Sequence, residues 1–176
     1  GAKNIPVTVG WYSLMNVNTA EDPDNEFSGN KFSFMNQLLI SRKFSDRVSV
    51  QLMPTWIHFN VVPYGINNTN EASSLGVAGK YKVSSKLNVT LEYARQLNMY
   101  KNLISKNGAI LNYNPDLLSV GVEISTGTHL FQFYVGSTTD ASANEQLARN
   151  NGSIKDYNIS ISFTINSAIN LKNKEK

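Results

Sequence analysis

The chain is governed by a two-residue rhythm. In its last extended segment Tyr157, Ile159, Ile161, Phe163 and Ile165 alternate with Asn158, Ser160, Ser162, Thr164 and Asn166. Side chains of a strand point alternately to its two faces, so this segment has one apolar and one polar face. Segments of similar length recur along the chain, and the links between them alternate between very short and long. Tight turns at one end, long loops at the other and a clean apolar face are what a strand-built membrane barrel requires. The prediction is an all-β fold: an antiparallel, up-and-down transmembrane β-barrel with about eight strands in this chain.

Composition agrees. Apolar residues make up 41% of the 176 residues and charged residues only 16%, below the usual quarter for soluble domains. No run approaches the roughly eighteen consecutive apolar residues of a membrane helix, so any spanning is done by strands. No linker divides the chain, and one barrel domain is expected over residues 1–170, followed by a polar tail over 171–176. No signal peptide precedes Gly1 and Ile5 to Trp11 already reads as strand, so the chain is expected to be either a mature form or, the favoured reading, a fragment that begins part-way through a longer barrel. There is no cysteine, and the formal charge is +3. The lysines sit in turns and in the tail, without a stripe of interleaved aromatics, which argues against nucleic-acid binding.

The predicted strands are Ile5 to Met15, Lys31 to Lys43, Val48 to Phe59, Leu75 to Val83, Leu87 to Leu97, Leu117 to Ser125, Thr128 to Ser137 and the final segment. Pro54 is expected to make a bulge or bend in the third. Asn107-Gly108, flanked by apolar residues, is a candidate hairpin projecting from the barrel. A two-residue turn at Thr126-Gly127 would place Val122 opposite Phe131 and Val120 opposite Phe133 outside, with Gly121 opposite Gln132 and Ser119 opposite Tyr134 inside. Ser142-Ala143-Asn144-Glu145 has the form of a capping box opening a short surface helix. Both chain ends fall on the short-turn side, which in such barrels faces the periplasm.

Two stretches carry a resemblance. The first is Gln37-Leu38-Leu39-Ile40-Ser41-Arg42-Lys43-Phe44-Ser45-Asp46-Arg47, continued to His58. The second is Leu118-Ser119-Val120-Gly121-Val122-Glu123-Ile124-Ser125-Thr126-Gly127-Thr128-His129-Leu130-Phe131-Gln132-Phe133. With Leu75 to Val83 and Leu91-Glu92-Tyr93 between them, they resemble the DUF5777 family of outer-membrane barrels from Bacteroidota. The resemblance implies a membrane barrel in the cell outer membrane and, because members are longer at the N-terminus, a complete barrel of more than eight strands. It implies no biochemical activity. The lysine-rich end departs from the terminal aromatic common in outer-membrane barrels.

Candidate chemistry is sparse. His58 and His129, the two histidines, are expected at opposite rims, about 25 to 30 Å apart at some 3.3 Å per strand residue, and cannot share a site. His129 is expected to face outward opposite Ile124, away from Glu123. Lys80, Lys82, Glu92, Glu123 and Gln132, with Gln51, Asn88 and Thr90, are expected to form a polar network in the lumen, Lys80 lying diagonally from Glu92 as an ion pair. Tyr12, Leu14, Met35, Leu39, Met53 and Ile57 would fill the remaining interior. Trp11, Trp56, Tyr81, Tyr93, Phe131 and Phe133, with Tyr100, are candidates for aromatic girdles at the two interfaces. The acidic link from Glu21 to Glu26 lacks the glycine and distal glutamate of a calcium loop and is read as solvated. No nucleophile elbow, phosphate-binding glycine loop or metal spacing is present. The expectation is a non-enzymatic barrel without cofactor or metal, serving as a narrow channel or as an envelope scaffold. The alternative is a barrel binding a small apolar ligand among Met35, Leu39, Met53 and Tyr134. Expected partners are outer-membrane lipids and periplasmic or surface proteins.

Overall fold

The computed structural model describes residues 7–19, 31–60, 70–98, 103–104, 110–111, 116–138, 142–148, 150 and 159–167. Ile5, the 21–26 link, Tyr100, the Asn107-Gly108 turn, Tyr157 and the 171–176 tail lie outside those residues. In chain order the elements are β1 (Thr8–Val17), β2 (Phe32–Lys43), β3 (Val48–Phe59), β4 (Glu71–Lys82), β5 (Leu87–Gln96), β6 (Leu103–Ile104), β7 (Ile110–Leu111), β8 (Leu117–Ser125), β9 (His129–Gly136), α1 (Ala143–Ala148) and β10 (Ser160–Ser167). The eight long strands form one curled antiparallel sheet in the order β1-β2-β3-β4-β5-β8-β9-β10. β6 and β7 pair with each other, the ladder expected on either side of Asn107-Gly108.

Alternation gives the sheet two unlike faces. Most outward positions are apolar: Val9, Trp11, Leu52, Trp56, Val77, Leu91, Val120, Phe133, Ile161 and Phe163 are all exposed. Such a surface is stable only against lipid. Within it, Trp11, Ser13 and Asn36 hydrogen-bond in series. The Trp11 indole N–H donates to Ser13 Oγ at 2.7 Å, and Ser13 donates to Asn36 Oδ1 at 2.7 Å. On the last hairpin, Phe163 packs against Phe131 and Phe133, with ring centroids 6.4 and 4.6 Å away.

Three expectations are corrected. Pro54 makes no bulge: the β2–β3 register is the same on both sides of it, and only the pairs at Leu38 and Leu39 are missing, where proline has no N–H to give. The β8–β9 register is shifted by two. Thr126 N donates to the His129 carbonyl at 2.9 Å, so Gly127-Thr128 forms the turn, with Gly127 at φ +91° as a primed hairpin turn demands. Val122 therefore faces Phe133, Val120 faces Val135, Gly121 faces Tyr134, and Glu123 faces Gln132, while Ile124 meets Phe131 in place of His129. A shift of two keeps every side chain on its predicted face. Finally, α1 is no surface helix: Asn144, Leu147 and Ala148 are buried.

The first two short turns are built alike. In one, Phe44 N and Ser45 N donate to the Val48 carbonyl, and Ser45 Oγ accepts from Arg47 N and Val48 N. In the other, Val83 N and Ser84 N donate to the Leu87 carbonyl, and Ser84 Oγ accepts from Lys86 N and Leu87 N. Each turn is also tied to the next: Lys82 N donates to the Arg47 carbonyl, and Ser125 N to the Lys86 carbonyl, both at 2.8 Å.

Candidate functional site

The concave face is divided across its height. Toward the long loops it is apolar and filled. Met35, Ile57, Phe59, Ala72, Ala94 and Leu117 pack with Leu147 and Ala148 of α1, which the chain between β9 and β10 delivers into the mouth. Polar anchors hold the helix: Asn16 Nδ2 donates to Ser142 Oγ at 3.1 Å, Ser142 donates to Asn144, and Asn144 donates to Ser33 Oγ. Asn150, fully buried, donates to the Ser137 carbonyl at 2.9 Å and the Asp116 carbonyl at 3.2 Å. Beside the helix, the cross-strand neighbours Ser74 and Gln96 are buried with side-chain polar atoms that have no hydrogen-bond partner among the described residues.

Toward the short turns the same face is polar and hollow. A cavity of about 450 Å³ is lined by Gln51, Met53, Lys80, Glu92, Glu123 and Tyr134, among others. Glu123, 5% exposed, is its hub. Lys80 Nζ lies 2.8 Å from Glu123 Oε2, Gln132 Nε2 donates to Oε1 at 3.0 Å, and Asn88 Nδ2 donates to Oε2 at 3.3 Å. Gln132 also donates to Tyr134 Oη at 2.8 Å and accepts from Asn166 Nδ2 at 2.7 Å. The network thus crosses the sheet from β4 to β10.

Lys80 pairs with Glu123, not with Glu92 as expected. Lys80 stands directly opposite Thr90, and Thr90 opposite Gly121. These small neighbours leave room for the lysine to reach over β5. Gly121 has a second task, because the Tyr134 ring lies on it: a Cβ there would come 2.2 Å from Tyr134 Cδ1. Glu92 lines the same cavity without an ion pair among the described residues. Lys82 is inward by parity but exposed at the short-turn rim, outside the network.

Of the girdle candidates, Trp56 and Tyr93 lie toward the long loops, Tyr93 Oη bonding Asp116 at 3.0 Å. Tyr81 and Phe131 lie toward the short turns. Trp11, opposite Leu38, and Phe133 sit near mid-strand. The histidines stand at opposite ends. His58 stacks on Trp56 and lies 2.7 Å from Glu71, while His129 lies 2.7 Å from Ser167 with no carboxylate to complete a catalytic set among the described residues. No cluster of three metal-ligating side chains occurs among them either.

The family described as membrane bound beta barrel domain (DUF5777) matches residues 1–168. The chain belongs to that family. A DUF5777 domain is a membrane-bound barrel, in accord with the curled sheet and its apolar exterior. No curated protein and no solved structure matches this DUF5777 chain. What sequence reasoning missed is the plug: Ser33, Asn144 and Asn150 gave no signal beyond the capping box at Ser142, whose helix length says nothing of where it seats.

Proposed function

We propose that this DUF5777 protein is a non-enzymatic outer-membrane barrel that acts as a narrow channel for small polar solutes, with its long-loop mouth closed by α1. The observation that carries the reading is the division of the concave face, a polar chamber around Glu123 below and a helix seated by side-chain anchors above. A scaffold needs no such chamber. The apolar-ligand reading is less favoured, because Met35 is taken up in the helix-bearing core while Met53 and Tyr134 line the polar cavity. Outer-membrane placement is supported by spanning with strands alone and by the pattern of short turns and long connections.

The same proposal includes further strands. Among the described residues β1 and β10 each have a hydrogen-bonded neighbour on one side only, and hydrocarbon tolerates no unpaired sheet edge. Both faces of β10 are exposed, including the polar one, as they would be at the wall of a wider, water-filled lumen.

The test is single-channel recording of the full-length protein in planar bilayers, alongside a variant in which residues 142–148 are replaced by Gly and Ser. Rare openings in the parent and steady, larger steps in the variant are expected. Silence from both folded proteins would refute the channel and leave the scaffold.

A further inference from the structure

Two features adjoin each other at the short-turn end, one on the outer surface and one at the rim of the wall, where Lys82 is exposed. On the lipid-facing side, Gly79 leaves an apolar slot of about 250 Å³. Its walls are Val50 and Leu91, the cross-strand neighbours of Gly79, and Tyr81 and Val89 stand at its lower end. A Cβ at Gly79 would meet nothing within 4 Å, so the slot stands open among the described residues. Three residues further along β4, about 10 Å at strand spacing, Lys82 and Arg47 border a cleft of about 230 Å³ between the first two short turns, together with Asp46, Ser84 and Ser85. The bond from Lys82 N to the Arg47 carbonyl holds the two sides of this cleft together.

The cleft is cationic. Asp46, its one carboxylate, is engaged by Lys43 at 3.0 Å, so Lys43, Arg47 and Lys82 stand against a single acid. Arg42 and Lys86 extend the positive rim, and the Arg42 guanidinium lies 5.1 Å from the centre of the exposed Phe44 ring. The opposite end has no such excess: among the described residues there, Lys31 and Arg95 stand with Glu71, Asp116 and Glu145.

We propose that the slot and the cleft together bind one anionic phospholipid, an acyl chain lying against Gly79 and the phosphate held between Arg47 and Lys82. An apolar slot open to the bilayer accepts hydrocarbon. Arg47 can meet phosphate oxygens as a two-pronged donor, with Lys82 adding a point charge. Basic side chains at a membrane surface favour anionic lipid, and two of them shift the preference by an order of magnitude or more. The site rests on the membrane placement of the apolar band and is independent of whether the lumen conducts.

The experiment reconstitutes the full-length protein in nanodiscs of equal phosphatidylcholine and phosphatidylglycerol and reads lipid retention by native mass spectrometry. Vesicle flotation reports insertion separately, so a protein that fails to insert overturns the placement and not only the site. The parent is expected to retain one phosphatidylglycerol. R47Q/K82Q should keep one lipid while its preference for phosphatidylglycerol falls about tenfold. Gly79→Leu should lower retention of both lipids, and excess inorganic phosphate should displace neither. Equal retention of the two lipids by the parent, or retention unchanged in both variants, would overturn the proposal. So would displacement by inorganic phosphate with Gly79→Leu behaving as the parent, which would mark a plain anion site. Should Gly79→Leu not fold, the exposed double variant still decides.

Discussion

Two inward or outward glycines behave oppositely because of what stands over them. Gly121 lies under the Tyr134 ring and beside Thr90 Oγ1, 2.6 Å from where a Cβ would be, whereas Gly79 faces open space. Gly121→Ala should cost roughly 1 to 3 kcal/mol through forced movement of the tyrosine, and Gly79→Ala should fall within about 0.5 kcal/mol of the parent. Urea unfolding from lipid vesicles measures both, and equal losses would show that the Tyr134 packing is not what Gly121 serves. At this scale the sequence was informative about faces and silent about neighbours. The period of two put Lys80, Lys82, Glu92, Glu123 and Gln132 on one face. Which of them touch depends on register, and the β8–β9 turn offers two positions for Gly127 that differ by two residues and leave every face unchanged. Lys80 therefore reached Glu123, through space left by Thr90 and Gly121 that no pairwise spacing rule reveals.

The elements were legible in proportion to their periodicity. β3 and β8 have the predicted bounds, and β2 starts only one residue later. β4 begins at Glu71, earlier than Leu75, because its first turns of alternation are Ser and Ala, which carry little apolar contrast. The turns were recognisable as turns, but their shared serine clamp was not, since it rests on a hydroxyl accepting two backbone N–H groups. At the first of these turns Lys43 donates to Asp46 and holds its carboxyl below the ordinary carboxylate range, by that hydrogen bond first and by charge attraction second. A depressed pKa in the folded state favours folding above the ordinary carboxylate range, and the contribution is lost as pH falls through the lowered value. An NMR titration of Asp46 should give a midpoint below that of a free aspartate, returning toward it in Lys43→Met. An unchanged midpoint in that variant would remove Lys43 as the cause.

For the whole molecule, alternation and link lengths gave the antiparallel barrel sheet with eight strands in this chain, while the total strand number of the full-length barrel and the lumen contents were beyond their reach. Alternation is local, and neither closure nor the seat of a loop helix leaves a periodic trace. The open edges make a sharp test, because the chain has no native cysteine. Cysteines at Trp11 and Phe163, on the outward faces of β1 and β10, should fail to cross-link in the folded full-length protein if further strands lie between them. Efficient disulfide formation would instead mean closure with eight. The position of α1 also bears on how the molecule is assembled. Its seat is made by β2, β3, β4, β5 and β8, yet the helix itself arrives between β9 and β10, downstream of all five. The sheet that forms the socket is thus paired strand to strand without the helix, so docking of the stopper is a separable step. Susceptibility of residues 142–148 to a protease would then serve as a clock for biogenesis, falling only when the helix docks.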